Sequence, residues 1–94
     1  MLVAFDFGLT NTDVVITKFD ENQFHSFPTM EINDEFISHI FDSINIKVSQ
    51  VSKIAVTGGK SSDLNDKFNN IPVKKVNEVD AIGSGAIALY DLET

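Results

Sequence analysis

The chain has 94 residues, and its 14 acidic against 7 basic side chains give a net charge of −7. This length suits one domain, and the apolar fraction of 43% is sufficient for a hydrophobic core. The acidic surface argues against nucleic acids and anionic membranes as partners. No cysteine is present, so disulfides and thiolate metal sites are excluded. No apolar run is long enough for a membrane span, and an acid at Asp6 is unlike a secretory signal, so we expect a cytoplasmic protein.

The first half of the chain is predicted to form three strands and a helix. An apolar run, a β-branched run and an alternating run predict strands over residues 2–7, 12–19 and 23–29. The short link between the first two strands indicates a hairpin. Apolar residues at helical spacing then predict a helix over 34–45, with an N-cap at Asn33 or Asp34.

The second half is predicted to alternate strands with helices. The predicted elements are a strand over 53–57, a short helix from Ser61 or Ser62 to Phe68, a strand over 73–76 and a helix over 79–92. The last helix is rich in small residues. The whole chain, residues 1–94, is then one α/β domain. Its order β-β-β-α-β-α-β-α is that of a mixed sheet covered by helices.

The turn after the first strand is the first candidate site, comprising Asp6, Gly8, Leu9, Thr10, Asn11 and Thr12. Gly8 allows backbone N–H groups to point into a concave turn that can hold an anion. Thr10 and Thr12 add hydroxyl donors, and Asp6 can hold Mg²⁺ through water beside nucleotide phosphates. An ordinary hairpin turn is the alternative, because turns commonly use these residue types.

Two further segments carry candidate chemistry. Gly58 and Gly59 follow a strand and precede a serine-capped helix, which offers backbone donors to an anion. An ordinary strand-to-helix turn is the alternative there. Glu78 lies at the next strand end, where a partly shielded carboxylate can act as a general base. Asp80 suits a helix cap, and capping or solubility is the alternative role for both acids.

These three segments, in this order, resemble the superfamily of acetate and sugar kinases, heat-shock-70 proteins and actin. The pairing of Thr57-Gly58-Gly59 with Glu78-Val79-Asp80-Ala81 most resembles type II pantothenate kinases. The resemblance implies a ribonuclease-H-like (actin-like ATPase) lobe that uses ATP and Mg²⁺. It implies transfer of the γ-phosphoryl group to the hydroxyl of pantothenate in coenzyme A biosynthesis, with Glu78 as the base and Asp6, Gly8 and Thr10 in the phosphate and Mg²⁺ loop.

The chain departs from this family in its loop and in its length. Leu9 stands where the family usually has a second glycine, and Asp13 stands near a usual lysine. Residues 10–13 look more like the opening of hydantoinase and oxoprolinase subunits. The family's second lobe lies outside these residues, so we expect a second lobe or a homodimer partner to complete the site. A regulatory domain of this fold, or a subunit of a hydantoinase- or activase-like ATP-using complex, is the alternative.

Overall fold

The computed structural model describes residues 1–19, 21–59, 61–82 and 86–91, and gives only the backbone beyond Val76. The described elements, in chain order, are β1 (Leu2–Phe7), β2 (Asn11–Lys18), β3 (Glu21–Pro28), α1 (Asp34–Ser43), β4 (Lys53–Thr57), β5 (Lys67–Phe68), β6 (Ile71–Ile82) and β7 (Ala86–Asp91). Short 3₁₀ turns occupy Val48–Gln50 and Ser61–Asp63. The domain is therefore α/β, with a mixed sheet and one described α-helix.

The strands lie in the order β3-β2-β1-β4-β6-β5, and β7 also pairs with β6. The first three strands are antiparallel neighbours, whereas β4 is parallel to β1 and β6 is parallel to β4. In the β1–β4 pair, Asp6 lies opposite Thr57. The carboxyl ends of these two strands therefore meet at one edge of the sheet.

Helix α1 begins where the sequence predicts, because Asn33 caps it. The Asn33 side chain accepts a hydrogen bond of 3.0 Å from the backbone N–H of Phe36. Two acids, Asp34 and Glu35, occupy the first turn, where they face the positive end of the helix dipole. The apolar face is buried against the sheet and comprises Phe36, Ile37, Ile40 and Phe41.

The core lies between α1 and one face of the sheet. Ring centroids are 5.9 Å apart for Phe5 and Phe41, and 5.7 Å apart for Phe41 and Phe68. These distances are typical of packed aromatic pairs. On the opposite face, Ala4 and Ala55 are also fully buried. The central strands are thus buried on both faces, which explains why β1 reads as a continuous apolar run. No helix among the described residues has the length and apolarity needed to cross a membrane.

The sequence-based predictions are confirmed through β4. The strands over 2–7 and 53–57 have the predicted bounds, and the first two strands form the expected antiparallel hairpin. The predicted helix over 34–45 ends slightly earlier, at Ser43.

The predicted helix from Ser61 or Ser62 to Phe68 is wrong. A 3₁₀ turn covers Ser61–Asp63, and β5 follows. Phe68 pairs with Ile71 across a two-residue turn formed by Asn69 and Asn70, whose φ angles are 47° and 69°. Asparagine tolerates this left-handed conformation, so the pair favours a tight hairpin over a continuing helix.

The predicted helix over 79–92 is also wrong within the described residues. Strand β6 continues to Ile82, and β7 pairs with it so that Ile82 lies opposite Ala86. Gly83, Ser84, Gly85 and the residues after Asp91 lie outside the described structure. A helix through this region would hold two glycines in its interior, each costing about 1 kcal/mol relative to alanine. The order β-β-β-α-β-α-β-α therefore fails after β4.

The hairpin at Asn69 and Asn70 can be tested by substitution. Asn70→Val should lower the free energy of unfolding by about 1–2 kcal/mol, because a β-branched residue is strained at positive φ. Asn70→Gly should preserve or raise it. Urea denaturation measures both, with Asn65→Val as the control at an exposed position outside the positive-φ turn. Equal losses for Asn70→Val and Asn65→Val would contradict the hairpin.

Candidate functional site

Two of the predicted loops lie side by side at the carboxyl ends of β1 and β4. They are the β1–β2 turn, formed by Gly8, Leu9 and Thr10, and the pair Gly58 and Gly59. Gly58 has φ +85°, and a Cβ there would lie 2.6 Å from the Phe7 carbonyl oxygen and 2.9 Å from Asp6 Oδ1. Only glycine fits such an approach. The two loops thus form one surface.

The β1–β2 turn is tight and solvent-facing. The N–H of Gly8 donates to the carbonyl of Asn11 at 3.0 Å. A Cβ on Gly8 would lie 2.6 Å from that same oxygen, so this position also requires glycine. Leu9 is 99% exposed at the tip, and Thr10 and Asn11 are exposed beside it. The turn therefore presents its backbone and the Thr10 hydroxyl to solvent.

A chain of hydroxyl groups supports this turn from beneath. Thr29 Oγ1 donates to the Gly8 carbonyl at 2.8 Å, and the Thr12 and Thr29 hydroxyl oxygens are 2.9 Å apart. Each hydroxyl has one proton, so Thr12 must be the donor to Thr29. The Thr29 N–H also bonds the Thr10 carbonyl at 2.9 Å. These bonds fix the turn to the residue that follows β3.

This arrangement changes the role expected of Thr12. Its side chain is fully buried, and its hydroxyl is already bonded to Thr29. Thr12 therefore positions the turn and does not present a hydroxyl to a bound anion. Thr29, which sequence reasoning missed, has the same positioning role. Residue types alone gave no signal for it, because Thr29 lies beside Thr10 only through the observed β2–β3 register.

The carboxyl of Asp6 lies beside a like charge. Asp6 and Asp13 are directly opposite each other on β1 and β2. Partial burial raises the pKa of Asp6 above its ordinary value, and the negative charge of Asp13 raises that pKa further. Like charges in a cross-strand pair destabilise a sheet. A cation bound here would relieve that repulsion.

The described residues supply few ligands for a metal ion. They include no group of three or more His, Asp or Glu side chains able to hold one. Asp6 and Asp13 are a pair only, so a Mg²⁺ ion at Asp6 would need oxygen ligands from water or from bound phosphates.

A groove of about 540 Å³ opens beside the turn, between β1 and the start of α1. Its lining comprises Gly8, Leu9, Thr29, Met30, Glu31, Ile32, Asn33, Gly59 and Asp63. Leu9, Met30 and Ile32 give it an apolar wall, whereas Glu31 and Asp63 make it negative. An anionic ligand would therefore need a cation to enter this groove.

The structure describes the remaining predicted site residues only in part. The segment after Gly59 is a 3₁₀ turn of three residues, Ser61–Asp63, so the expected helix N-terminus is absent there. Glu78 lies on β6 just after an irregularity in its pairing with β7. Because β6 runs parallel to β4, its backbone there lies toward the same edge as Gly58. The Glu78 side chain lies outside what is described, so its role stays a prediction.

The sequence matches no protein-family model, and no curated protein is significantly similar to it. Function must therefore be inferred from the site itself, because a fold alone does not specify one.

The Asp6–Asp13 pair predicts a pH dependence of stability. A raised Asp6 pKa means that the folded state holds this proton more tightly, so the free energy of unfolding should fall as pH rises above about 3.8 through the raised pKa. Asp13→Asn should lower the Asp6 pKa and raise stability at neutral pH by roughly 0.2–1 kcal/mol. Carboxyl NMR titration and urea denaturation measure the two effects.

Asp42→Asn is the matched control, because it removes one acid from the last turns of α1. It should leave the Asp6 titration unchanged. An Asp6 pKa that Asp13→Asn does not lower would contradict the assigned interaction.

The hydroxyl chain predicts that Thr29→Val is costly. Valine keeps the shape but leaves the Gly8 carbonyl and the Thr12 hydroxyl without their partner, at a cost of about 1 kcal/mol or more. Thr10→Val changes an exposed hydroxyl and should alter stability far less. Denaturant unfolding and hydrogen exchange at Gly8 measure the difference. Equal losses of stability for Thr29→Val and Thr10→Val would contradict the positioning role of Thr29.

Proposed function

We propose that this chain is the phosphate-binding lobe of an ATP-dependent phosphotransferase that resembles type II pantothenate kinases. The observation that carries the proposal is the shared edge, where Asp6, the β1–β2 turn and Gly58 adjoin. The three antiparallel strands followed by parallel β4 and β6 support an actin-like, ribonuclease-H-like lobe as far as Val76. The β7 strand departs from the helix that such a lobe was expected to have.

The nucleotide phosphates would bind against backbone at this edge. Gly58 and Gly59 have no side chains to keep an anion away from the chain, and the β1–β2 turn is exposed beside them. Backbone N–H groups in such turns bind anions without a basic surface. This is the one form of phosphate binding that a strongly acidic chain can readily support.

Asp6 would hold Mg²⁺ beside those phosphates. Its repulsion from Asp13 makes a divalent cation favourable there, because the ion would neutralise the two facing carboxylates. When bound, the ion supplies positive charge to the phosphates, which is the main electrostatic requirement of phosphoryl transfer. Asp13 would add a second negative charge near the ion, which favours binding of the cation but does not replace the positive charge lost with the family's lysine.

Glu78 would accept the proton of the pantothenate hydroxyl. Its strand runs toward the same edge as Asp6 and Gly58, which is the backbone placement this role requires. A second lobe or a second copy would cover the nucleotide and complete the acceptor site. The negative groove beside Gly8 would then hold the acceptor only with its carboxylate away from Glu31 and Asp63.

A regulatory domain of the same fold, or a subunit of a hydantoinase- or activase-like ATP-using complex, is the second candidate. Leu9 favours it, because a fully exposed leucine at the turn tip suits a protein contact better than a phosphate contact. Asp13 favours it as well, because its charge opposes a transferring phosphate.

The proposal predicts weak, Mg²⁺-dependent ATP binding at the shared edge. In amide NMR spectra, millimolar Mg²⁺-ATP should shift Gly8, Leu9, Thr10, Gly58 and Gly59 most. Asp6→Asn should abolish the dependence on Mg²⁺, and Asp42→Asn should retain it. Shifts that cluster elsewhere, or no shifts at any ATP concentration, would contradict the proposal.

Glu78→Gln separates the two candidates. In the kinase, this change should lower ATP-dependent phosphorylation of pantothenate by about a hundredfold or more and leave the ATP-induced shifts intact. Radiolabelled phosphate transfer measures the activity. If the second lobe or second copy is present and ATP binds at the shared edge, the absence of any transfer would favour the regulatory domain.

A further inference from the structure

Strand β3 forms an open edge of the sheet. Among the strands described, it pairs only with β2, whereas β6 at the other side is joined by β5 and β7. The β2–β3 register runs without a bulge from Asn11–Pro28 to Lys18–Glu21. A regular strand with one unpaired side can pair with another chain.

The β2–β3 register identifies the backbone groups that face outward. The Thr29 N–H bonds the Thr10 carbonyl across this pair. In an antiparallel pair, alternate residues bond the same neighbour, so the odd-numbered residues of β3 bond β2. The N–H and C=O groups of Asn22, Phe24 and Ser26 therefore point away from β2.

The open edge lacks most of the usual protection against pairing. Edge strands are commonly blocked by lysine, proline or a bulge. Here the only charged residue is Glu21 at the start of the strand, and the only proline is Pro28 at its end. Phe24, at the centre, is 64% exposed beside the half-buried Val15 of β2.

We propose that two copies of this chain associate through β3, antiparallel, with a twofold axis at Phe24. Phe24 then faces Phe24 of the second copy, and Asn22 faces Ser26. All three outward residues of each copy are hydrogen-bonded in this register. A pairing register shifted by one residue would set the outward backbone groups of one copy against residues of the other copy that already bond β2. A register shifted toward Pro28 would lose a donor, because proline has no N–H.

Two observations favour a second copy over an unrelated strand. The register places Glu21 opposite Phe27, so two acidic chains meet without like charges facing each other. It also places the amide of Gln23 opposite the imidazole of His25, so polar side chains meet polar side chains there. The β3 sequence is thus complementary to itself about Phe24.

The oligomeric state tests the proposal. Analytical ultracentrifugation of the wild-type chain should show a concentration-dependent dimer that grows no further. Phe24→Lys places two like charges opposite each other and should weaken the dimer about tenfold or more. Leu9→Lys, a similar change at an exposed residue away from β3, should leave it unchanged. A monomer at every concentration, growth beyond two copies, or equal effects of the two substitutions would overturn the proposal.

Two proline substitutions in β3 distinguish weaker dimerisation from loss of folding. Ser26→Pro removes an outward N–H, so it should weaken the dimer while thermal unfolding of the monomer changes little. His25→Pro removes a bond to β2 and should destabilise the fold itself. Dimerisation should also slow amide exchange at Asn22, Phe24 and Ser26, but not at Gln23 or His25. Protection without this alternation would overturn the pairing.

Discussion

The parallel pairing of β1 with β4 is the interaction on which the candidate site depends. Its register sets Asp6 against Thr57 and brings two separate loops together. Gly58 then contacts the Phe7 carbonyl and the Asp6 carboxyl so closely that no side chain fits. Every chemical role discussed for this edge, whether phosphate binding or a protein contact, begins from that approach of two backbones.

The charge of the site limits what it can bind unaided. Asp6 and Asp13 repel each other, and the adjoining groove carries Glu31 and Asp63. A phosphate group alone would meet a negative field, whereas a phosphate with its metal ion would not. The acidic composition, which argues against nucleic acids, is therefore compatible with a metal-bound nucleotide at this edge.

Much of the fold through β4 could be predicted from local signals, because apolar periodicity, the Asn33 cap and the short first turn all indicate the same elements. The later segments gave competing signals. Small residues after Glu78 suggest a helix, but the described residues there form two strands, Ile71–Ile82 and Ala86–Asp91. Asn69 and Asn70 turned an expected helix into a hairpin.

For the site, sequence reasoning found the loops but not their support. Gly8, Gly58 and Asp6 follow from motif chemistry, and the structure brings them together. The engagement of Thr12 with Thr29 depends on the β2–β3 register, a long-range property that residue types alone do not show. The groove beside Met30 depends on the same register.

The hydroxyl chain beneath the turn has an electronic consequence. The Gly8 carbonyl and the Leu9 N–H belong to one peptide group, and that carbonyl accepts the Thr29 hydroxyl, which in turn accepts from Thr12. Hydrogen bonds in series polarise one another, so electron density is drawn along the amide toward the buried side. The Leu9 N–H at the exposed tip thereby becomes a stronger donor than an isolated amide.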